Sequence, residues 1–140
     1  MNVDPDSLTA RGLSRYVLAV AASLRVPRHA LHHEVSELSS AYLALHRRSP
    51  RYPDLDLMLL WDERHGWSVA LETAPADGPV VLAYLGGDVL AEADEVHRFV
   101  EDVIAGRHPG QPHEPPALDP EQTEELVWRL AARAEDGLAA

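Results

Sequence analysis

Three stretches of the chain carry side chains that could do chemistry. The first is His29, His32 and His33 with Glu34 and Glu37. On a helix, His29, His33 and Glu37 fall one turn apart on one face, a spacing usable for zinc. On a strand, His33 shares a face with Val35 and the ligand set dissolves. No HExxH motif accompanies them. Solvated surface histidines are the simpler reading, and no metal site is assigned. The second stretch is Asp62-Glu63-Arg64-His65, which puts acid, base and cation into one turn between two tryptophans. Catalytic groups need pre-organised support, which a mobile charged hairpin tip does not promise. Recognition suits it better, because Trp and Arg are favoured at binding hot spots. Trp61, Arg64 and Trp67 are therefore candidate contact residues, against the plainer alternative that both tryptophans are core. The third is Gly86-Gly87-Asp88, between a strand and a helix, where phosphate loops occur. It is neither GxGxxG nor a Walker loop, and Asp88 with the acidic residues after it would repel a phosphate. There is no GxSxG, and no pair of carboxylates stands out. No catalytic residue and no cofactor is assigned, and the reading leans away from an enzyme.

Composition narrows the classes further. A chain of 140 residues that is 46% hydrophobic and 25% charged fits one soluble domain with a real core. No apolar run reaches the roughly 18 residues of a membrane span, and the start MNVDPDS is wrong for a secretory signal. A cytoplasmic protein is expected. Without cysteine there is no disulfide, thiolate nucleophile or cysteine metal site. All 12 basic residues are arginine, which excludes a Schiff-base or P-loop lysine and suggests the codon bias of a GC-rich bacterial genome. The net charge of −11 is uneven: residues 1–70 balance eight acids with eight arginines, whereas residues 71–140 hold fifteen acids and four arginines. That argues against nucleic acid, which needs a cationic footprint. It permits a basic protein partner held by attraction that salt would screen, with simple solubility of acidic helices as the plainer explanation.

These residues need elements to hold them. Leu13, Tyr16, Val17, Val20 and Leu24 form one face of a helix from Ser7 to about Arg25. Asp6 or Ser7 is its cap, and Pro27 helps to stop it. Residues 28–48 divide into two short strands, Leu31–Ser36 and Ala41–Leu45, around a turn at Glu37–Ser40. A second helix striped by Leu31, Val35, Leu38, Tyr42 and Leu45 is the alternative. The stretch Leu55–Gly87 reads as three antiparallel strands: Asp56–Trp61, Trp67–Glu72 and Pro79–Leu85. A five-residue loop would pair Trp61 with Trp67, Leu59 with Val69 and Leu57 with Leu71. Gly66 supplies a positive φ. The first and third of these strands are apolar on both faces, which implies cover from two sides. A helix from Glu92 to Ala105 is striped by Val96, Phe99, Val100, Val103 and Ile104, with Glu92, Asp94 and Glu95 in its first turn. Gly106–Pro116 is a linker or strap. Asp119-Pro120-Glu121-Gln122 opens a last helix whose stripe of Val127, Leu130, Ala131 and Ala134 is narrow enough for loose docking, swapping or partner binding.

The runs DLMLLWDERHGW (56–67), VLAYLGGDVL (81–90) and VHRFVEDVIAGRHPG (96–110), with GLSRYVLAVAASL (12–24) and AYLAL (41–45), resemble an uncharacterised domain family of actinomycete bacteria. The likeness covers most of residues 10–110. It implies an α+β domain and no transferable activity.

The expected fold is α+β: an antiparallel sheet of three to five strands with an N-terminal helix and two C-terminal helices. Residues 1–110 form the domain; residues 111–140 form a strap and helix docked on it. The expected function is a small acidic, non-enzymatic interaction or regulatory module. Its contacts would come from Glu92, Asp94, Glu95, Glu121, Glu124 and Glu125, with Trp61, Arg64 and Trp67. The partner would be a protein or a second copy paired across a two-fold axis, not nucleic acid or membrane. The alternative is a small-molecule binder or enzyme with a pocket between sheet and helices, lined by Tyr42, Trp61, Trp67, Tyr84 and His97.

Overall fold

The structure, a computed structural model, describes residues 7–34, 39–107 and 109–139; the side chains of Pro75 and of residues 135–139 lie outside the description. Helix α1 spans Leu8–Ser23. Ser7 caps it, its hydroxyl accepting from the Ala10 amide at 3.2 Å. The helix ends before the expected Arg25 because Arg25 itself turns left-handed, at φ 57°. The Val26 amide then donates back to the Ala21 carbonyl at 2.8 Å, closing the helix end.

Residues 28–48 form two strands, β1 (Leu31–Glu34) and β2 (Ser40–Ala44), as the serine-rich middle suggests. Half of the expected intervening turn, Glu37 and Leu38, falls outside the described residues; Ser40 already belongs to β2. Strands β3 (Leu57–Asp62), β4 (Gly66–Leu71) and β5 (Val80–Tyr84) complete a meander, ordered β1-β2-β3-β4-β5 and antiparallel throughout. The three expected hairpin pairs form: Trp61 opposite Trp67, Leu59 opposite Val69 and Leu57 opposite Leu71. Asp62 also pairs with Gly66, so the loop is three residues rather than five. Gly66 takes φ 75°.

Helix α2 spans Ala93–Ile104 and α3 spans Pro120–Ala139. The fold is therefore α+β, one helix before a five-stranded sheet and two after it. Leu43, Leu57, Leu59, Trp61, Trp67 and Val69 share one core with Leu13, Val17, Phe99, Val100 and Leu130 of the helices. The alternate positions, Tyr42, Met58, Leu60 and Ser68, lie outside that core. The expectation of cover on two sides is thus corrected: the helices pack on one face only. Ser68 and Ala70 are nonetheless buried, at 6% and 0% exposure. They are small, and they sit recessed between the neighbouring strands.

Helix α3 docks closely on α1 rather than loosely. Thr9 donates a hydrogen bond to the Val127 carbonyl at 3.3 Å. A methyl group on Gly12 would lie 1.6 Å from the Leu130 carbonyl oxygen. The buried stripe of α3 is Leu126, Leu130 and Ala134, with Val127 and Ala131 only half buried. Among the described residues, no helix is long and apolar enough to cross a membrane.

Candidate functional site

The strand geometry first decides the fate of the two hairpin tryptophans. Trp61 and Trp67 both project toward α1 and are 1% exposed. Their rings stack obliquely, centroids 6.4 Å apart, and Tyr16 joins Trp67 at 6.0 Å. Buried indole N–H groups need acceptors, and both find them. Trp61 donates to the Val89 carbonyl at 2.7 Å. Trp67 donates to the Tyr16 hydroxyl at 2.9 Å, which donates to the Ala91 carbonyl at 2.5 Å. Burial pushes the Tyr16 phenol well above its ordinary range. This network fastens segment 88–92 over the sheet's end. The expected Trp61–Arg64–Trp67 contact surface is corrected accordingly: of the three, only Arg64 is exposed.

The hairpin tip is also more firmly held than a mobile loop. Asp62 accepts from the Arg64 and His65 amides at 2.8 and 2.9 Å. Glu63 is 4% exposed and accepts from the Ser39 amide at 2.7 Å. Its acids and amides are thereby engaged in closing the turn.

The histidines are dispersed. His29 lies in a short 3-10 turn, Arg28–Ala30, while His32 and His33 alternate along β1 and point to opposite faces. The helical ligand geometry does not form, and Glu37 lies outside the described residues. At the Gly86-Gly87-Asp88 turn, both glycines take positive φ. Asp88 accepts from the Leu90 amide at 2.9 Å and holds Arg129 through two bonds of 2.8 and 2.7 Å. Arg129 keeps the Asp88 carboxyl below its ordinary value, partial burial opposing it.

The acidic helices are divided by these arginines. Arg129 grips Asp88, and Arg133 lies 3.8 Å from Glu92 while its guanidinium sits 4.8 Å over the Tyr16 ring. Glu92, Asp94 and Glu95 remain exposed at the start of α2. On α3, Glu121, Glu124 and Glu125 line a shallow hollow with Trp128, Arg129 and Ala132. Trp128 is 70% exposed, and the sequence reading did not single it out. The signal was available: Trp128 lies two residues from both Leu126 and Leu130, about 200° around the helix from each.

The expected pocket does not form from the residues proposed for it; the hollow that does lie between sheet and helix, about 370 Å³, is lined instead by Leu82 and Ala83 of β5, Val103 at the end of α2, Tyr52 and the strap residues Pro109–Pro112. Of the proposed lining, Trp61 and Trp67 are interior, Tyr42 and Tyr84 stand on the uncovered sheet face, and His97 lies on α2 beside Glu101 at 3.5 Å. A protein-family model described as a family of unknown function (DUF6292) matches residues 16–102. The match runs from Tyr16 in α1 to Asp102 in α2, across the whole sheet and short of α3. No curated protein and no solved structure matches.

Proposed function

The chain belongs to the family of unknown function DUF6292, and from its own surface we propose that it is a small acidic, non-enzymatic protein-interaction module. The observation that carries this reading is Trp128, 70% exposed on the outer face of α3 among Glu121, Glu124 and Glu125. A tryptophan offers 150–250 Å² of apolar surface, roughly, to a partner. The carboxylates around it attract a basic partner and set its orientation. Glu92, Asp94 and Glu95 extend the negative field. The matching partner is a basic amphipathic segment whose apolar side covers Trp128. Such a module, working in the cytoplasm, fits the burial of Trp61 and Trp67, which leaves Trp128 as the exposed tryptophan.

Trp128 reports on its own test, because the other two tryptophans are buried. A synthetic amphipathic peptide of arginine and leucine is the probe. It should shift the exposed tryptophan emission to shorter wavelength, bind more weakly as salt rises from 50 to 200 mM, and lose most of its affinity for Trp128→Ala. Salt-insensitive binding, or full binding by Trp128→Ala, would overturn the proposal.

A further inference from the structure

The uncovered face of the sheet carries a cleft with a definite chemical character. One cross-strand row runs over all five strands: His32 opposite Tyr42, Tyr42 opposite Leu60, Leu60 opposite Ser68, Ser68 opposite Tyr84. The two tyrosines stand on β2 and β5, three strand spacings or roughly 14 Å apart. Between them lie Leu60 and the much smaller Ser68, so the row dips. The dip is a cavity of about 300 Å³, whose wall also includes Asp62, His65 and Glu114. A second hollow of about 420 Å³ shares Tyr42 and Leu60 and continues past Met58 to Glu72.

The strap after α2 closes one end. Tyr84 and Gln111 exchange two backbone hydrogen bonds of 2.8 Å. The Glu114 carboxylate then reaches Nε2 of His65 at 2.8 Å, while Nδ1 of the same ring faces Asp62 at 3.1 Å. Residues far apart in the chain thus meet around one space.

The lining is aromatic, apolar and, apart from the imidazoles of His32 and His65, anionic. Asp62, Glu72 and Glu114 contribute carboxylates, and neither cavity is lined by an arginine. Tyr42 donates to Glu72. Burial, and then that bond, pushes its phenol up to about 12. Burial, and then the charges of Glu114 and Asp62, raise Tyr84 as well. On the floor, Ser68 is 6% exposed, and no described residue hydrogen-bonds to its hydroxyl. The hydroxyl oxygen is not sealed in the core but opens onto the cavity, where it is placed for a ligand. An anionic ligand would be repelled here, whereas the carboxylates, although each already holds a partner within the protein, keep lone pairs free for a donor. A cation is attracted by the carboxylates and by the electron-rich faces of the tyrosines.

We propose that this cleft binds an organic ammonium ion with a small aromatic body. The ammonium group lies toward Asp62 and Glu114 and donates to Ser68 Oγ; the body rests on Leu60 between the two tyrosine rings. The cavity lies at the lower end of the size range for small-molecule sites, which limits the ligand to about one ring and a short chain. The site shares no residue with the Trp128 hollow, so the two proposals stand or fall separately.

Calorimetry on the full chain with three probes of equal size tests this: phenethylamine, 2-phenylethanol and 3-phenylpropionate. Phenethylamine should bind saturably and at least tenfold more tightly than the alcohol, with no binding of the carboxylate. Ser68→Leu fills the floor and should abolish binding. Glu114→Gln, on the exposed strap where folding is not at stake, should weaken it about tenfold. Equal affinity for amine and alcohol, no binding of the amine, or unaltered binding by Glu114→Gln would overturn the proposal.

Discussion

Leu59 and Leu60 are neighbours in β3 with opposite fates. Leu59 is fully buried beneath the helices, whereas Leu60 looks out from the other face and is only partly covered. The same contrast holds for the whole sheet. One face is filled by α1 and α2 and sealed by hydrogen-bonded tryptophans. The other bears a row of rings and carboxylates around a hollow. Alternate residues of one strand face opposite sides, so a single meander can hold the fold together with one set of side chains and present chemistry with the other. Apolar residues on both faces of a strand therefore do not require two covering layers. Loops over the ends and small recessed side chains hide part of the second face.

The largest test of this contrast is a pair of truncations. Leu59→Ala should cost about 3 kcal/mol or more, through lost burial and a cavity, while Leu60→Ala should cost about 1 kcal/mol. Equal losses in denaturant unfolding would show that the second face is also core. Next is Gly12→Ala, which forces α1 and α3 apart where the added methyl meets the Leu130 carbonyl. Overpacking of this kind costs about 1–3 kcal/mol. Thermal unfolding should register the loss, and an unchanged midpoint would mean that α3 is not firmly part of the packed side. The smallest effect is expected at Asp88–Arg129. The carboxyl pKa is depressed in the folded protein. The pair therefore stabilises above the ordinary carboxylate range, and its contribution fades as pH falls through the folded value. Because both side chains are more than a third exposed, the contribution is under about 1 kcal/mol. Unfolding followed from pH 5 to pH 2 should show a shallower loss in Arg129→Gln than in the parent; identical slopes would remove the pair from the account.

Much of the architecture was readable before any coordinates. Ser7 caps its helix, and the hairpin register around Trp61 and Trp67 follows from alternation and Gly66. These are local signals, decided within a few residues. The candidate sites were less readable. Trp61 and Trp67 were candidates for a surface because residue type alone does not say which face of a strand is covered. A stripe through Val127 and Ala131 hides the exposure of Trp128, whereas the buried stripe through Leu126, Leu130 and Ala134 places it on the outer face. Tyr42 and Tyr84 were both suspected of lining a pocket, but on the wrong side of the sheet.

The sequence by itself determined the element types outside residues 28–48, the central register and the acidic imbalance, because period, caps and charge are properties of the chain at short range; strand or helix at residues 28–48 was settled by pairing with β3. Only the tertiary structure decided which face of the sheet the helices cover and that Glu114 and Asp62 meet at His65. It alone decided that α1 and α3 touch at Gly12. Those outcomes depend on how packed elements exclude water from one surface and leave it on another, and that choice is made between parts of the chain that are distant in sequence.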